Sequence, residues 1–213
     1  MINKWQSILD EQLIGKVFNS ISTPYYPSAE LVFKAFKLCD YYNTKVVFLG
    51  EDPYPQPNIA TGVLFGNSND TPEDKLSPSL KVIKESISNL CMPQESIIFD
   101  NSLESWSKQG ILMLNSSLTV APYKVGSHLL LWRPVIADLL RTLSNDNPGL
   151  IYVLFGNTAK SFKPCINTND TVLTEYHPAY YARQNKEMPS TIFREVNRLL
   201  KLKYNETINW FKK

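Results

Sequence analysis

The chain has 213 residues, 43% of them hydrophobic, and its 22 basic and 20 acidic side chains leave a formal charge of +2. That length supports one sizeable core, and the interspersed charge excludes a highly basic coat protein while leaving room for a local basic face. Cys39, Cys91 and Cys165 stand far apart without a CxxC pair, which argues against a disulfide framework, a zinc knuckle or an iron–sulfur cluster and favours a reducing compartment.

In chain order, MINKWQSILDEQL opens an amphipathic helix predicted over residues 3–19 and lacks a signal-peptide core. A second helix is predicted over 28–41, with Leu31, Phe33, Ala35, Phe36 and Leu38 as its apolar face. KVVFLG (45–50) reads as a buried strand. Ser77-Pro78 then supplies a cap and a first-turn proline for the helix SLKVIKESISNL. SLESWSKQ gives a short helix and ILMLN (111–115) a second strand. LLLWRPVIADLLRTLS is a longer helix, expected to bend or break at Pro134. LIYVLFG (150–156) and TVLTE (171–175) complete the strands, PSTIFREVNRLLKLK is the closing helix, and the terminal INWFKK and the region around Trp132 read as packing. No apolar run reaches membrane-spanning length. No repeat, low-complexity tract or linker divides the chain, so a single domain over 1–213 is expected.

Strands buried on both faces and separated by helices predict an α/β fold, a three-layer sandwich whose central, mainly parallel four-stranded sheet is flanked by helices. In such sheets the ligand crevice lies outside the carboxyl ends of the strands. Asp52 follows the first strand, Asn115 ends the second, Gly156-Asn157 follows the third and His177 the fourth. Asp and Asn are also ordinary turn formers, so each position has a plain reading beside the functional one.

The stretch VVFLGEDPYPQP sharpens the functional reading. Pro53 and Pro55 fix two φ angles and stiffen the loop that carries Asp52, as suits a carboxylate orienting a water or facing a developing cation. In ATGVLFG, Gly62 permits a close backbone approach, and Phe65 is either a stacking platform or core. Asn115 offers donor and acceptor together, the requirement for reading a planar base edge, or it merely ends its strand. His177 and His128 are the only histidines, and an isolated histidine is more often structural than catalytic.

In their joint order these segments resemble the uracil-DNA glycosylase family, in its single-domain branch, over nearly the whole chain. YYPSAELVFKAF, KVVFLGEDPYPQP, ATGVLFG, LSPSL, LESWSKQGILMLNSSLTV and YHPAYYARQ each match a family segment, in the family order. The resemblance implies hydrolysis of the N-glycosidic bond of deoxyuridine in DNA after base flipping, with no metal and no cofactor. It implies that Asp52 positions the attacking water and faces a cationic sugar, and that His177 hydrogen-bonds the departing O2. It further implies a uracil site formed by Glu51, Tyr54, Phe65 and Asn115, in which Tyr54 crowds C5, Phe65 stacks and Asn115 reads O4 and N3. Pro78, Ser79, Ser127 and His128 match positions that grip flanking phosphates, and Ala179, Tyr181 and Arg183 belong to the loop that enters the minor groove.

The chain also departs from the family pattern. Glu51 and Pro55 stand where Gln and His are usual, and Glu51 adds a second negative charge beside Asp52. After His177 the serine-rich, leucine-tipped loop is replaced by Ala179-Tyr180-Tyr181-Ala182-Arg183. A phosphate-gripping hydroxyl is lost at Ala179. By position Tyr181 becomes the residue that fills the base stack, with Arg183 as the alternative. The Asp-Pro-Tyr-Pro loop and YHPA are similar to the poxviral glycosylases, which act partly within a replicative polymerase complex. The expected partner is uracil-containing DNA, bound by a monomer with no membrane contact through a patch including Lys124, Arg183 and Lys186. A protein inhibitor or replication partner stays open, and the expected location is cytoplasmic, or inside a host cell for a viral chain.

Overall fold

The computed structural model describes residues 4–90 and 98–211. Its elements in chain order are α1 (Lys4–Ile8), α2 (Glu11–Ser20), α3 (Lys34–Leu38), β1 (Val46–Gly50), α4 (Pro78–Ser88), α5 (Glu104–Lys108), β2 (Ile111–Asn115) and α6 (Leu129–Asp146). They continue with β3 (Ile151–Phe155), α7 (Gly156–Lys160), β4 (Thr171–Glu175), α8 (Pro178–Gln184) and α9 (Thr191–Tyr204). The strands form one sheet in the order β2-β1-β3-β4, and all three pairings are parallel. Register places Gly50 beside Asn115 and Phe155 beside Glu175, so the four carboxyl ends form a single edge.

Alternation along the strands sorts the core into two layers, as a period of two requires. Val46, Phe48, Met113, Val153 and Phe155 face one layer, where Trp106 of α5, Phe193 of α9 and Trp210 pack. Val47, Leu49, Leu112, Leu114, Tyr152 and Leu154 face the other, covered by Trp5, Phe36 and the Trp132–Leu143 face of α6. Trp106 and Trp210 meet edge-on at 4.9 Å, and the Trp106 indole N–H donates to the Trp210 carbonyl at 3.1 Å. Packing is therefore the role of INWF; Lys212 and Lys213 lie outside the described residues.

Four expected elements differ. The N-terminal helix is two helices, because the Asp10 carboxylate accepts the Gln12 and Leu13 N–H groups and restarts the chain there. Over 28–41 only a 3₁₀ turn (Ala29–Leu31) and the short α3 form. Leu31 and Phe33 stand two residues apart, which no helix places on one face. Helix α6 runs unbroken through Pro134. The proline removes one bond near the N-terminal end, while the buried face from Trp132 to Leu143 holds the rest. Strand β4 is not buried on both faces: it is one of the two edge strands and is half-exposed, whereas β2 at the other edge is buried throughout.

Two short helices follow the last strands: α7 directly after β3, and α8 two residues after β4, where a loop was expected. His177-Pro178 carries the same first-turn proline signature as Ser77-Pro78, and the His177 ring caps α8 by accepting the Ala179 N–H. Cys39 is buried with its thiol pushed up to about 11 by burial, Cys165 is half-buried, and neither is in a disulfide; Cys91 lies outside the described residues. Among the described residues no helix is long and apolar enough to cross a membrane.

Candidate active site

At the carboxyl edge a cavity of about 180 Å³ opens, below the roughly 300–1,000 Å³ typical of sites for drug-sized ligands. It suits one small ring. Its walls come from the β1 loop (Asp52, Tyr54), the 60–65 segment (Phe65), the end of β2 (Asn115), the second residue after β4 (His177) and the rim of α8 (Arg183).

Asp52 is half-buried, and its Oδ2 accepts the Gly126 backbone N–H at 2.6 Å. Its carboxyl is pushed up to about 6, chiefly by burial and further by the charge of Glu51, against the lowering effect of the Gly126 bond. Glu51 has a partner of its own: the Thr158 hydroxyl donates to its Oε1 at 2.9 Å. The Glu51 carbonyl accepts the Ser117 N–H at 3.0 Å, and the Gly50 carbonyl accepts the Ser116 N–H at 3.2 Å. These bonds tie the Asp52 loop to the segment following β2.

Tyr54 is fixed at its far end. Its hydroxyl donates to the Phe65 carbonyl at 2.9 Å and accepts the Ser77 hydroxyl at 2.6 Å, and burial pushes its phenol above the ordinary range. Phe65 is buried at 5% exposure yet lines the cavity. Its φ of +61° is in the left-handed region, costly for a bulky residue at roughly 1–3 kcal/mol. The ring is held by edge contacts at 5.3 Å to Phe155 and to His177. Core and cavity wall are thus the same ring. Gly62, at φ +77°, does make a close backbone approach, but to its own chain: a Cβ there would stand 1.9 Å from the Leu31 carbonyl oxygen.

Asn115 is buried at 7% exposure, and its Oδ1 has no hydrogen-bond partner among the described residues. The residue also lines the cavity, and a buried polar atom without a partner is rare in a folded chain. His177 Nδ1 accepts the Ala179 N–H at 3.2 Å, which leaves the proton of a neutral ring on Nε2. Burial lowers its pKa first, with Glu51 raising and Arg183 lowering it, so the neutral form is favoured. Gly156, at φ +83°, lets the β3–α7 turn close against this ring, since a Cβ would be 3.1 Å from the His177 Cβ.

Other expected site residues are spread more widely. Pro78 is exposed at the start of α4, whereas Ser79 is buried and lines the cavity. Ser127 is exposed, and its Oγ accepts the Ala121 N–H at 2.8 Å. His128 is turned inward instead of forming a surface grip: it is 6% exposed, and its Nδ1 lies 3.0 Å from the Thr119 hydroxyl, which also accepts the Trp132 indole N–H. Tyr181 is likewise no wedge. It is 8% exposed, sits in the core, and its hydroxyl donates to Glu175 at 2.8 Å. Ala179 and Arg183 line the cavity, Arg183 from an exposed position. Lys124 and Lys186 are exposed. Asn157 is exposed and outside the cavity, and its neighbour Thr158 is the residue that reaches the site. The Gly126 amide and Thr158 were not singled out in the sequence, because both act over long separations without a motif. Among the described residues no group of three or more His, Cys, Asp or Glu could hold a metal ion.

Comparison with known proteins adds an independent line. Residues 36–201 match the family model described as the uracil DNA glycosylase superfamily. The chain is 34% identical to a uracil-DNA glycosylase of Campylobacter jejuni, over 97% of this chain and 92% of that one. It is 30% identical to a uracil-DNA glycosylase of Streptococcus gordonii, over 97% of each. In fold it is similar to the crystal structure of mimivirus uracil-DNA glycosylase, with a TM-score of 0.79 at 24% identity over 97% of this chain and 83% of that one. The Nitratifractor salsuginis UNG structure gives a TM-score of 0.62 at 18% identity, covering 87% and 92%.

Proposed function

We propose that this chain, which belongs to the uracil DNA glycosylase superfamily, hydrolyses the N-glycosidic bond of deoxyuridine in DNA and releases free uracil. The observation that carries the reading is that Asp52 and His177, from opposite parts of the chain, open into one base-sized cavity with the buried Asn115 amide.

The chemistry needs both ends of the breaking bond to be served. Cleavage leaves positive charge on the sugar and negative charge on the base. Asp52, held by the Gly126 amide, faces the sugar and orients the attacking water. His177 donates from Nε2 to the departing uracil O2, its other nitrogen being engaged by Ala179. A fixed donor aimed at developing charge is typically worth about 2.7–4 kcal/mol. A base inside a duplex cannot reach this cavity, so it is flipped out at a cost of a few kcal/mol. Stacking on Phe65 and the Asn115 amide offset that cost. Cytosine presents the reversed donor and acceptor pattern to a fixed Asn115 and is rejected. The Tyr54 ring, held by two hydrogen bonds, leaves no space for the methyl group of thymine.

Arg183 takes the place of Tyr181 as the side chain that fills the gap left in the base stack, since it stands at the exposed cavity rim. Ser79, Ser127 and the exposed Lys124 and Lys186 contact flanking backbone. The working unit is one domain over 1–213, acting inside the cell. Release of free uracil from a single-uracil oligonucleotide tests the reading, comparing the parent with Asp52→Asn and His177→Ala. His177→Ala is expected to lower the rate about 10²–10³-fold. A parent that releases no more base than the combined variant excludes catalysis and leaves a DNA-binding scaffold.

A further inference from the structure

Ser77 stands at the N-cap of α4, with φ −60° and ψ 144°, yet among the described residues its side chain makes no cap hydrogen bond. A serine in that place ordinarily accepts an N–H of the first helical turn. Here the hydroxyl turns to Tyr54, 23 residues earlier in the chain. A phenol has one proton, and a carbonyl can only accept. The Tyr54 proton is committed to the Phe65 carbonyl at 2.9 Å, so the 2.6 Å bond is donated by Ser77. Ser77 is itself held. Its N–H donates to Asn67 Oδ1 at 2.8 Å, and the Asn67 N–H donates to the Asn101 carbonyl at 2.8 Å. Asn67 and Ser77 are 1% and 7% exposed. Because Asn67 follows Phe65 by two residues, these bonds close a ring from Tyr54 through Phe65, Asn67 and Ser77 back to Tyr54.

We propose that Ser77 is a positioning residue for base selection: its hydroxyl fixes where the Tyr54 ring stands in the cavity wall, and so how much room is left at C5 of the base. This rests on the reading of uracil as the base taken up. One hydrogen bond fixes a distance, and a ring can still swing about it. Two bonds from separate segments fix a point. The first comes from the segment that carries Phe65 and the second from the start of α4, so both the stacking wall and the helix hold the tip of the tyrosine. Burial raises the pKa of the phenol, and the hydroxyls of Ser77 and Ser79 oppose that rise, as bonds made to its oxygen do. A serine serving only the helix would turn its oxygen to the first-turn N–H groups. This one gives up that bond for the tyrosine.

The test compares the parent, Ser77→Ala, Ser77→Thr, Tyr54→Phe and the Ser77→Ala/Tyr54→Phe double variant. Release of base is followed from strands carrying uracil or 5-bromouracil, with kcat and KM separated. Bromine is close to a methyl group in size and withdraws electrons, so the base leaves readily and selection at C5 can be read. Ser77→Ala should raise 5-bromouracil release relative to uracil about 2- to 10-fold, the range of one hydrogen bond at 1.4 kcal/mol per tenfold. Ser77→Thr keeps the hydroxyl and should keep the parent ratio. The double variant should match Tyr54→Phe, because Ser77 acts through the hydroxyl which that change removes. A serine serving only the fold would slow both bases alike and leave the ratio unmoved. A parent that releases no base from either strand overturns the glycosylase reading and this one together. A parent that releases uracil, with Ser77→Ala keeping the parent ratio or with the two changes acting independently, overturns the role of Ser77 alone.

Discussion

Replacing Asp52 with asparagine should make the protein more stable at neutral pH while removing its activity. Burial and the neighbouring Glu51 charge raise the Asp52 carboxyl from 3.8 to about 6. Between those values the folded chain holds more protons than the unfolded chain. Stability therefore declines as pH rises from about 4 to about 6 and stays reduced above that window. At 1.36 kcal/mol per pH unit, the ionised carboxylate costs the fold about 3 kcal/mol at most. The amide of the Asp52→Asn variant would carry no charge and could still accept the Gly126 N–H, so most of that cost should disappear. For a chain of this size each kcal/mol moves Tm by about 2–4 °C, which places the expected gain at about 3–10 °C. Thermal unfolding of parent and variant at pH 8, repeated towards pH 4, gives the measurement. The variant should melt higher at pH 8, with the gap closing in acid as the parent carboxyl protonates. A variant that melts at or below the parent at pH 8, or a gap that does not close, refutes the assignment of Asp52 as a destabilised, buried carboxylate.

Three further outcomes follow from the same geometry. The rate of uracil release should fall as pH drops through about 6, where Asp52 protonates, and Glu51→Gln should move that fall to lower pH; a limb unmoved by Glu51→Gln would show that the two carboxylates do not sense each other. Asn115→Leu should abolish uracil binding yet leave the melting temperature level or higher, because an unpaired buried polar atom costs about 1–3 kcal/mol; a clear loss of stability would mean the amide serves the fold. Tyr54→Ala should admit thymine, read as release of thymine from a T-containing strand, and no gain of thymine release would remove the steric account of that ring.

Strands β1, β2 and β3 were legible because they are short apolar runs buried on both faces, and the parallel sheet follows from the helices between them; β4, half-exposed, is no such run. Asn115 ends β2, and Asp52 and His177 stand two residues past β1 and β4; strand ends alone left each of them a plain turn reading, and the order of the family-like segments singled them out. Tyr181 was misplaced because the segment after His177 was read as a loop, in which sequence position alone suggests reach. As helix α8, each residue turns by about 100°, and Tyr181 points into the core while Arg183 stays at the rim. His128 misled for a related reason, since the Thr119–Trp132 pair that draws it inward is assembled only by the fold. The Gly126 amide was invisible for a different reason. It reaches Asp52 across 74 residues through a backbone atom that every residue except proline carries.

On the proposed reading, the bond from the Tyr54 hydroxyl to the Phe65 carbonyl makes the gate against a methyl group and the bed for the ring parts of one rigid piece. Selectivity and grip then cannot drift independently: loosening either aromatic disturbs the other's seat. A lineage widening its choice of base would have to rebuild both walls together.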